Sequence, residues 1–166
     1  KLTDPWQHHR IGDFGPDWMI GLEVSDIDGD GDTDVLSGGY SRGPRDHDEA
    51  LPANTPMGRL GWFENPGDPA GVWTRRDISR RERGMFDKFV ARDLDGDGDQ
   101  DLASTNYSSY TVSVLLNQGN GTFGAQVQYP AGGVPRHLTC ADLDGDGDQD
   151  LATAGGSSPT VSVLLN

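Results

Sequence analysis

The sequence predicts an all-β protein of about three repeated units, and three observations carry the prediction. A nine-residue Asp/Gly pattern occurs three times in register along the 166 residues. The chain holds 24 Gly and 10 Pro with only 33% apolar residues, a balance that suits many short strands and turns better than helices. Its apolar residues come in short or alternating runs with no sustained 3.6-residue period.

The repeated pattern is Asp26-Ile-Asp28-Gly-Asp30-Gly-Asp32-Thr-Asp34, then Asp93-Leu-Asp95-Gly-Asp97-Gly-Asp99-Gln-Asp101, then Asp142-Leu-Asp144-Gly-Asp146-Gly-Asp148-Gln-Asp150. Carboxylates at positions 1, 3, 5 and 9, with the main-chain carbonyl of position 7 (Asp32, Asp99, Asp148), give a hard cation several oxygens, and Gly at position 6 permits the turn that wraps them round it. The pattern predicts one calcium ion per loop, about three in all, with the position-7 side chains facing solvent. An Asp/Gly turn that binds nothing would leave five carboxylates in nine residues with nothing to offset their repulsion. A helix-flanked calcium loop is the nearest alternative, but it needs an acid at position 12. That position is Ser37, Ser104 and Thr153, and the flanking runs Leu22-Glu23-Val24, Phe89-Val90-Ala91 and Leu138-Thr139-Cys140 are β-compatible.

Each unit reads as a strand entering the Asp loop, a strand leaving it, an alternating strand, a Gly-rich turn and an outer strand. The alternating strands are Thr111–Leu116, Thr160–Leu165 and Arg59–Phe63, and the turns are Asn117-Gln118-Gly119-Asn120-Gly121 and Asn65-Pro66-Gly67-Asp68-Pro69. Four short strands per unit is the make-up of a propeller blade, and burial then comes from stacking blade on blade. The units divide as 1–78, with an inserted loop at 40–57, then 79–129, then 130–166, the last incomplete at its C-terminal side. The second and third superpose at an offset of 49, with Asp93–Ala103 identical to Asp142–Ala152 and Thr111–Asn117 identical to Thr160–Asn166. At an offset of 67 the first aligns with the second, and Trp6 and Ile11 fall on Trp73 and Ile78. Lys1–Ile11 therefore reads as an outer strand for the blade holding Thr160–Asn166. Either the chain is cut in phase from a longer repeat array, or that strand completes the last blade of a neighbour, so the expected partner is a second copy packed head to tail or the remainder of a longer repeat chain.

The three Asp loops, the run Val112-Ser-Val-Leu-Leu-Asn-Gln-Gly-Asn-Gly-Thr-Phe123 and the segment Trp62-Phe-Glu-Asn-Pro-Gly67 together resemble the FG-GAP/VCBS repeat family, the calcium-loop propeller blades also found in integrin α-chain heads. The resemblance implies multi-bladed propellers in secreted adhesins, lectins and some carbohydrate-active enzymes. It is specific to fold and not to activity, and about three blades are fewer than such rings hold.

The formal net charge of −14 is local, since the loops hold fifteen of the 27 acids and the rest of the chain, with 13 Lys and Arg, is close to neutral. No basic stripe is present to neutralise phosphates, which argues against a nucleic-acid partner. No apolar run approaches the length of a membrane span and no signal-peptide core opens the chain, so no membrane insertion is expected. The single Cys140 cannot close an internal disulfide and reads as a small strand hydrophobe. Calcium loops of low affinity work where calcium is abundant, which places the protein outside the cell, at its surface or in a periplasm.

Beyond the metal loops, the insertion concentrates Arg42, Arg45, His47 and Asp48 where the other units carry short polar turns, and it is a candidate ligand loop. Trp62 is a candidate sugar-stacking face, against the alternative that Trp6, Trp18, Trp62 and Trp73 are core. His8 and His9 are adjacent and would point to opposite faces of a strand, which argues against a transition-metal site with His47. Asn106-Tyr-Ser108 and Asn120-Gly-Thr122 match the glycosylation acceptor pattern. No nucleophile, phosphate-loop or metalloprotease motif is present, and carboxylates that ligate calcium are held ionised, unsuited to act as general acids. The expected function is a calcium-binding extracellular module for adhesion, assembly or carbohydrate binding, more readily non-enzymatic than not. The alternatives are part of a propeller-type lyase or dehydratase acting on sugars, or a structural subunit of an extracellular fibre.

Overall fold

A computed structural model of the chain describes residues 7–14, 18–40, 60–79, 88–107, 109–156 and 159–166. Among these residues there is no helix. Eleven strands form three antiparallel sheets, each made of strands consecutive in sequence. The first contains β1 (Trp18–Ser25), β2 (Asp34–Tyr40), β3 (Leu60–Glu64) and β4 (Thr74–Ser79). The second contains β5 (Phe89–Arg92), β6 (Asp101–Asn106), β7 (Thr111–Leu115) and β8 (Val127–Pro130), and the third β9 (Pro135–Ala141), β10 (Asp150–Gly155) and β11 (Val161–Leu164). These up-and-down sheets are the propeller-like blades expected, stacked through β1 beside β5 and β5 and β6 beside β9, and they do not close into a ring.

Every Asp loop is the hairpin connection between the first two strands of its sheet, with Ser25 paired to Asp34, Arg92 to Asp101 and Ala141 to Asp150. This register explains the absence of flanking helices. The loop enters and leaves along one antiparallel ladder, so the arrangement of its carboxylates is anchored by strand pairing.

Burial lies between the sheets. Ile27, Leu36, Leu60 and Trp62 of the first sheet close against Phe89, Ala91, Leu102 and Leu115 of the second, and Leu94, Ala103 and Val112 of the second close against Leu138 and Leu151 of the third. β6 is buried along its whole length because sheets flank it on both sides, whereas β8 is exposed throughout at the outer edge. Burying side chains such as Leu102 and Leu36 is worth about 2 kcal/mol each.

One expectation is corrected. Trp62 is only 2% exposed, packed in the first inter-sheet core with its indole Nε1 donating to Gly121 O at 3.3 Å, so its ring has no face open to a sugar. Gln7–Ile11 pair with no described strand of the same chain, and Lys1–Trp6 lie outside the described residues. The segment is tethered to the first sheet. Phe14 is buried edge-on against Phe63 with ring centroids 5.5 Å apart, and Arg75 Nη1 donates to Asp13 O at 3.0 Å.

Candidate metal sites

The three loops repeat one hydrogen-bond pattern. The position-1 carboxylates of Asp26, Asp93 and Asp142 each accept from two glycine amides, Gly29 and Gly31, Gly96 and Gly98, Gly145 and Gly147, at 2.6–3.2 Å. Asp30, Asp97 and Asp146 accept from the amides of Asp32, Asp99 and Asp148 at 2.9 Å. Gly29 and Gly31 hold φ of +77° and +95°, left-handed values that a residue with Cβ reaches only under strain. The backbone therefore curls round its own carboxylates and points them inward.

Position 9 anchors each loop. Asp34, Asp101 and Asp150 are 1%, 0% and 0% exposed, and each bridges two strands. One carboxylate oxygen accepts from the amide of position 2 (Ile27, Leu94, Leu143) at 2.8–2.9 Å. The other accepts from the amide of an asparagine just beyond the third strand (Asn65, Asn117, Asn166), also at 2.8–2.9 Å.

In the first two loops, the atoms of Asp26, Asp28 and Asp34 and of Asp93, Asp95 and Asp101 that could hold a metal lie within 4.8 Å of one another. In the third loop the same spacing gathers Asp142, Asp144 and Asp146. Such all-carboxylate clusters fit a hard cation and not a soft one. The position-7 side chains of Asp32 and Asp99 lie against the following turn, where a Cβ on Gly67 or Gly119 would begin 3.0 or 2.9 Å from the carboxylate, while Asp148 is exposed.

Electrostatics separates the loops. Burial pushes the Asp34 carboxyl up to about 6 against the pull of its two amide donors, and burial also raises Asp101. Asp28 is raised by burial and then by the charge of Asp30. Asp150 goes the other way: the amides of Asn166 and Leu143 hold it below the ordinary carboxylate range, and here desolvation does not outweigh the donors.

The asparagines are structural ties that loop spacing alone misses. Asn117 Nδ2 donates to Gln100 O in its own loop at 3.1 Å and to Ile27 O in the first loop at 2.7 Å, and Asn166 Nδ2 reaches Leu94 O in the second loop at 2.7 Å. The first two loops are thus each tied to the next sheet. The available signal was the recurrence of Asn at the end of the third strand of every unit. Arg42, Arg45, His47 and Asp48 lie outside the described residues, and Trp62 stands apart from the loops in the core. Among the described residues no helix is long and apolar enough to cross a membrane.

Residues 93–153, from the second Asp loop through the third, match the FG-GAP-like repeat family. No curated protein matches the chain.

Proposed function

We propose, taking the FG-GAP-like repeat at residues 93–153 as premise, that the chain is a calcium-binding, extracellular propeller-type repeat module that serves adhesion, assembly or carbohydrate binding, with the metal in a structural role. The observation that carries this reading is the threefold recurrence of one carboxylate cradle at the hairpin between the first two strands of a sheet. Calcium takes six to eight oxygens at about 2.3–2.6 Å, whereas magnesium demands a rigid octahedron at about 2.0–2.1 Å. A nine-residue loop with carboxylates at positions 1, 3, 5 and 9 and a carbonyl at position 7 suits the larger ion. When bound, the ion offsets the repulsion among the loop carboxylates. The chain's own part is to hold position 9 buried between two strands, so that occupancy of the loop and pairing of those strands reinforce each other.

Calorimetric titration of the chelator-treated protein tests this reading. Three calcium ions per chain, magnesium weaker, and a melting temperature that falls in EDTA are the expected results. Unchanged melting and no binding heat in millimolar calcium would overturn it. Extracellular placement follows from the need for abundant calcium, and glycan-array screening of the calcium-loaded protein separates carbohydrate binding from adhesion or assembly.

A further inference from the structure

At the end of the sheets away from the Asp loops, the second and third units differ where their repeats otherwise agree. At the offset of 49, Tyr107 corresponds to Gly156 and Tyr110 to Pro159. Arg136 of β9 uses the first difference. A Cβ built on Gly156 would collide with Cδ and Nε of Arg136, so the arginine stem fills the space that a side chain at position 156 would need. From there the guanidinium crosses to the second sheet and lies over the Tyr107 ring, 4.9 Å from its centroid. Arg136 is also the unpaired residue of a bulge. Ala154 pairs with His137 and Gly155 with Pro135, so the residue between them is turned off the ladder.

The guanidinium meets no acid. Arg10, Arg75, Arg76 and Arg92 each face a carboxylate, whereas no described carboxylate lies within ion-pair distance of Arg136, which is exposed. Residues 106–107, 109–111, 130–137, 155–156 and 159–160, which make this end of the second and third sheets, include no Asp or Glu. Stacking fixes the plane of the guanidinium, and a fork held in one plane matches a carboxylate, which takes two parallel N–H bonds.

Tyr110 supplies the second element. It ends the turn between the paired residues Asn106 and Thr111 and is 57% exposed. Its φ of +58° is the one left-handed value outside glycine among the described residues, a costly conformation for a side chain with Cβ. The repeat does not demand it, because Pro159 holds the equivalent position and its ring fixes φ at about −65°. The strained backbone holds an aromatic ring at the surface, three residues from the stacking partner of Arg136.

We propose that this junction of the second and third sheets binds an acidic sugar of the uronate class, with Arg136 taking the carboxylate and Tyr110 stacking on the C–H face of the sugar ring. This binding rests on the carbohydrate branch of the function proposed above. A neutral sugar leaves the guanidinium without an anion, and a bare carboxylate leaves Tyr110 uncovered. An acidic peptide brings its carboxylate on a flexible stem with no rigid face to lie on the tyrosine.

NMR titration of the calcium-loaded full chain with D-glucuronate is the test. The Arg136 Nε–H resonance, assigned by its loss in Arg136→Lys, should shift saturably at millimolar ligand, and D-glucose and acetate should each bind roughly tenfold more weakly, having one contact of the two. Arg136→Lys keeps the charge without the fork, and Gly156→Ala keeps the arginine but displaces it. Ligand-observed saturation transfer should show each variant binding glucuronate roughly tenfold more weakly. Tyr110→Ala should weaken glucuronate while leaving acetate unchanged. Acetate as strong as glucuronate would mean an adventitious ion only and overturns the site, as do glucose or a glutamate-containing peptide of equal strength, or full affinity in Arg136→Lys and Gly156→Ala. The absence of any shift also overturns it and leaves Arg136 and Tyr107 as an inter-sheet contact. Far-UV circular dichroism checks folding; should Gly156→Ala lose its β spectrum, Arg136→Gln replaces it with the same outcome required. Calcium stoichiometry is measured on the same sample. Three bound calcium ions without glucuronate binding overturn this site alone, whereas glucuronate binding without calcium binding supports the site and overturns the metal reading.

Discussion

Asn117 and Ile27 stand 90 residues apart in sequence and 2.7 Å apart in space, side-chain amide to main-chain carbonyl, and through this bond the second sheet holds the Asp loop of the first. Asn117→Ala removes this tie and the bond to Gln100 O while leaving the backbone amide on Asp101. The expected loss is about 2 kcal/mol, since two acceptors become unsatisfied at a half-dry junction. Urea unfolding of the calcium-loaded protein measures it, and a loss below a few tenths would show the bond to be incidental.

Asp101→Ala should cost more. Its two oxygens accept from Leu94 N and Asn117 N at 2.9 and 2.8 Å in a site with no water access, so truncation strands two amides and removes one carboxylate of the candidate metal site together. Roughly 3 kcal/mol is expected in EDTA. In calcium the difference should widen, because only the wild type gains the full binding free energy.

The pH dependence should reverse sign between the metal-free and calcium-loaded protein. Burial raises Asp34 to about 6, so in EDTA its contribution to stability is complete below the unfolded value of 3.8 and is lost as pH rises through about 6. Asp101 is raised in the same direction, while Asp150, being lowered, contributes stability that is present above 3.8 and is lost as pH falls below it. Calcium requires the ionised form, so the gain in melting temperature on adding calcium should be smaller at pH 5 than at pH 7.5. Asp34→Asn should flatten part of that difference. Equal gains at both pH values would count against it.

Ser37 and Ser104 occupy the same place in successive units and should respond oppositely to alanine. Ser37 Oγ donates to Gly21 O at 2.7 Å, whereas Ser104 Oγ is buried with no hydrogen-bond partner. Ser37→Ala should destabilise by about 1 kcal/mol and Ser104→Ala should be neutral or stabilising by a similar amount. Thermal denaturation of the two variants side by side decides the matter.

The parts of the fold that follow a local code were legible in the sequence. The Asp/Gly loops announce themselves by charge and φ requirements, and runs such as Val112–Leu115 by alternation. The loops also set the strand order, since a hairpin connection leaves little choice of neighbour. What could not be read depended on partners distant in sequence. An asparagine after a strand reads as a turn residue, and only the juxtaposition of Asn117 with Ile27 makes it a tie. The segment around Phe14 has no periodicity, so its docking on Phe63 is a packing event alone. Trp62 offered the same indole whether exposed or buried, and only the approach of Gly121, whose missing Cβ leaves room for the ring, settles its place.

Each sheet is made entirely of strands adjacent in sequence, within Trp18–Ser79, Phe89–Pro130 and Pro135–Leu164. Apart from the connection between Tyr40 and Leu60, loop closure within each sheet is short, so its ladder can form before any distant part of the chain arrives. During synthesis the first sheet can pair while the second is still being made, and each later sheet finds a finished template on which to settle. The long-range contacts are then made once per junction between preformed surfaces, a route that lets a strand-rich chain avoid the slow search for remote pairings.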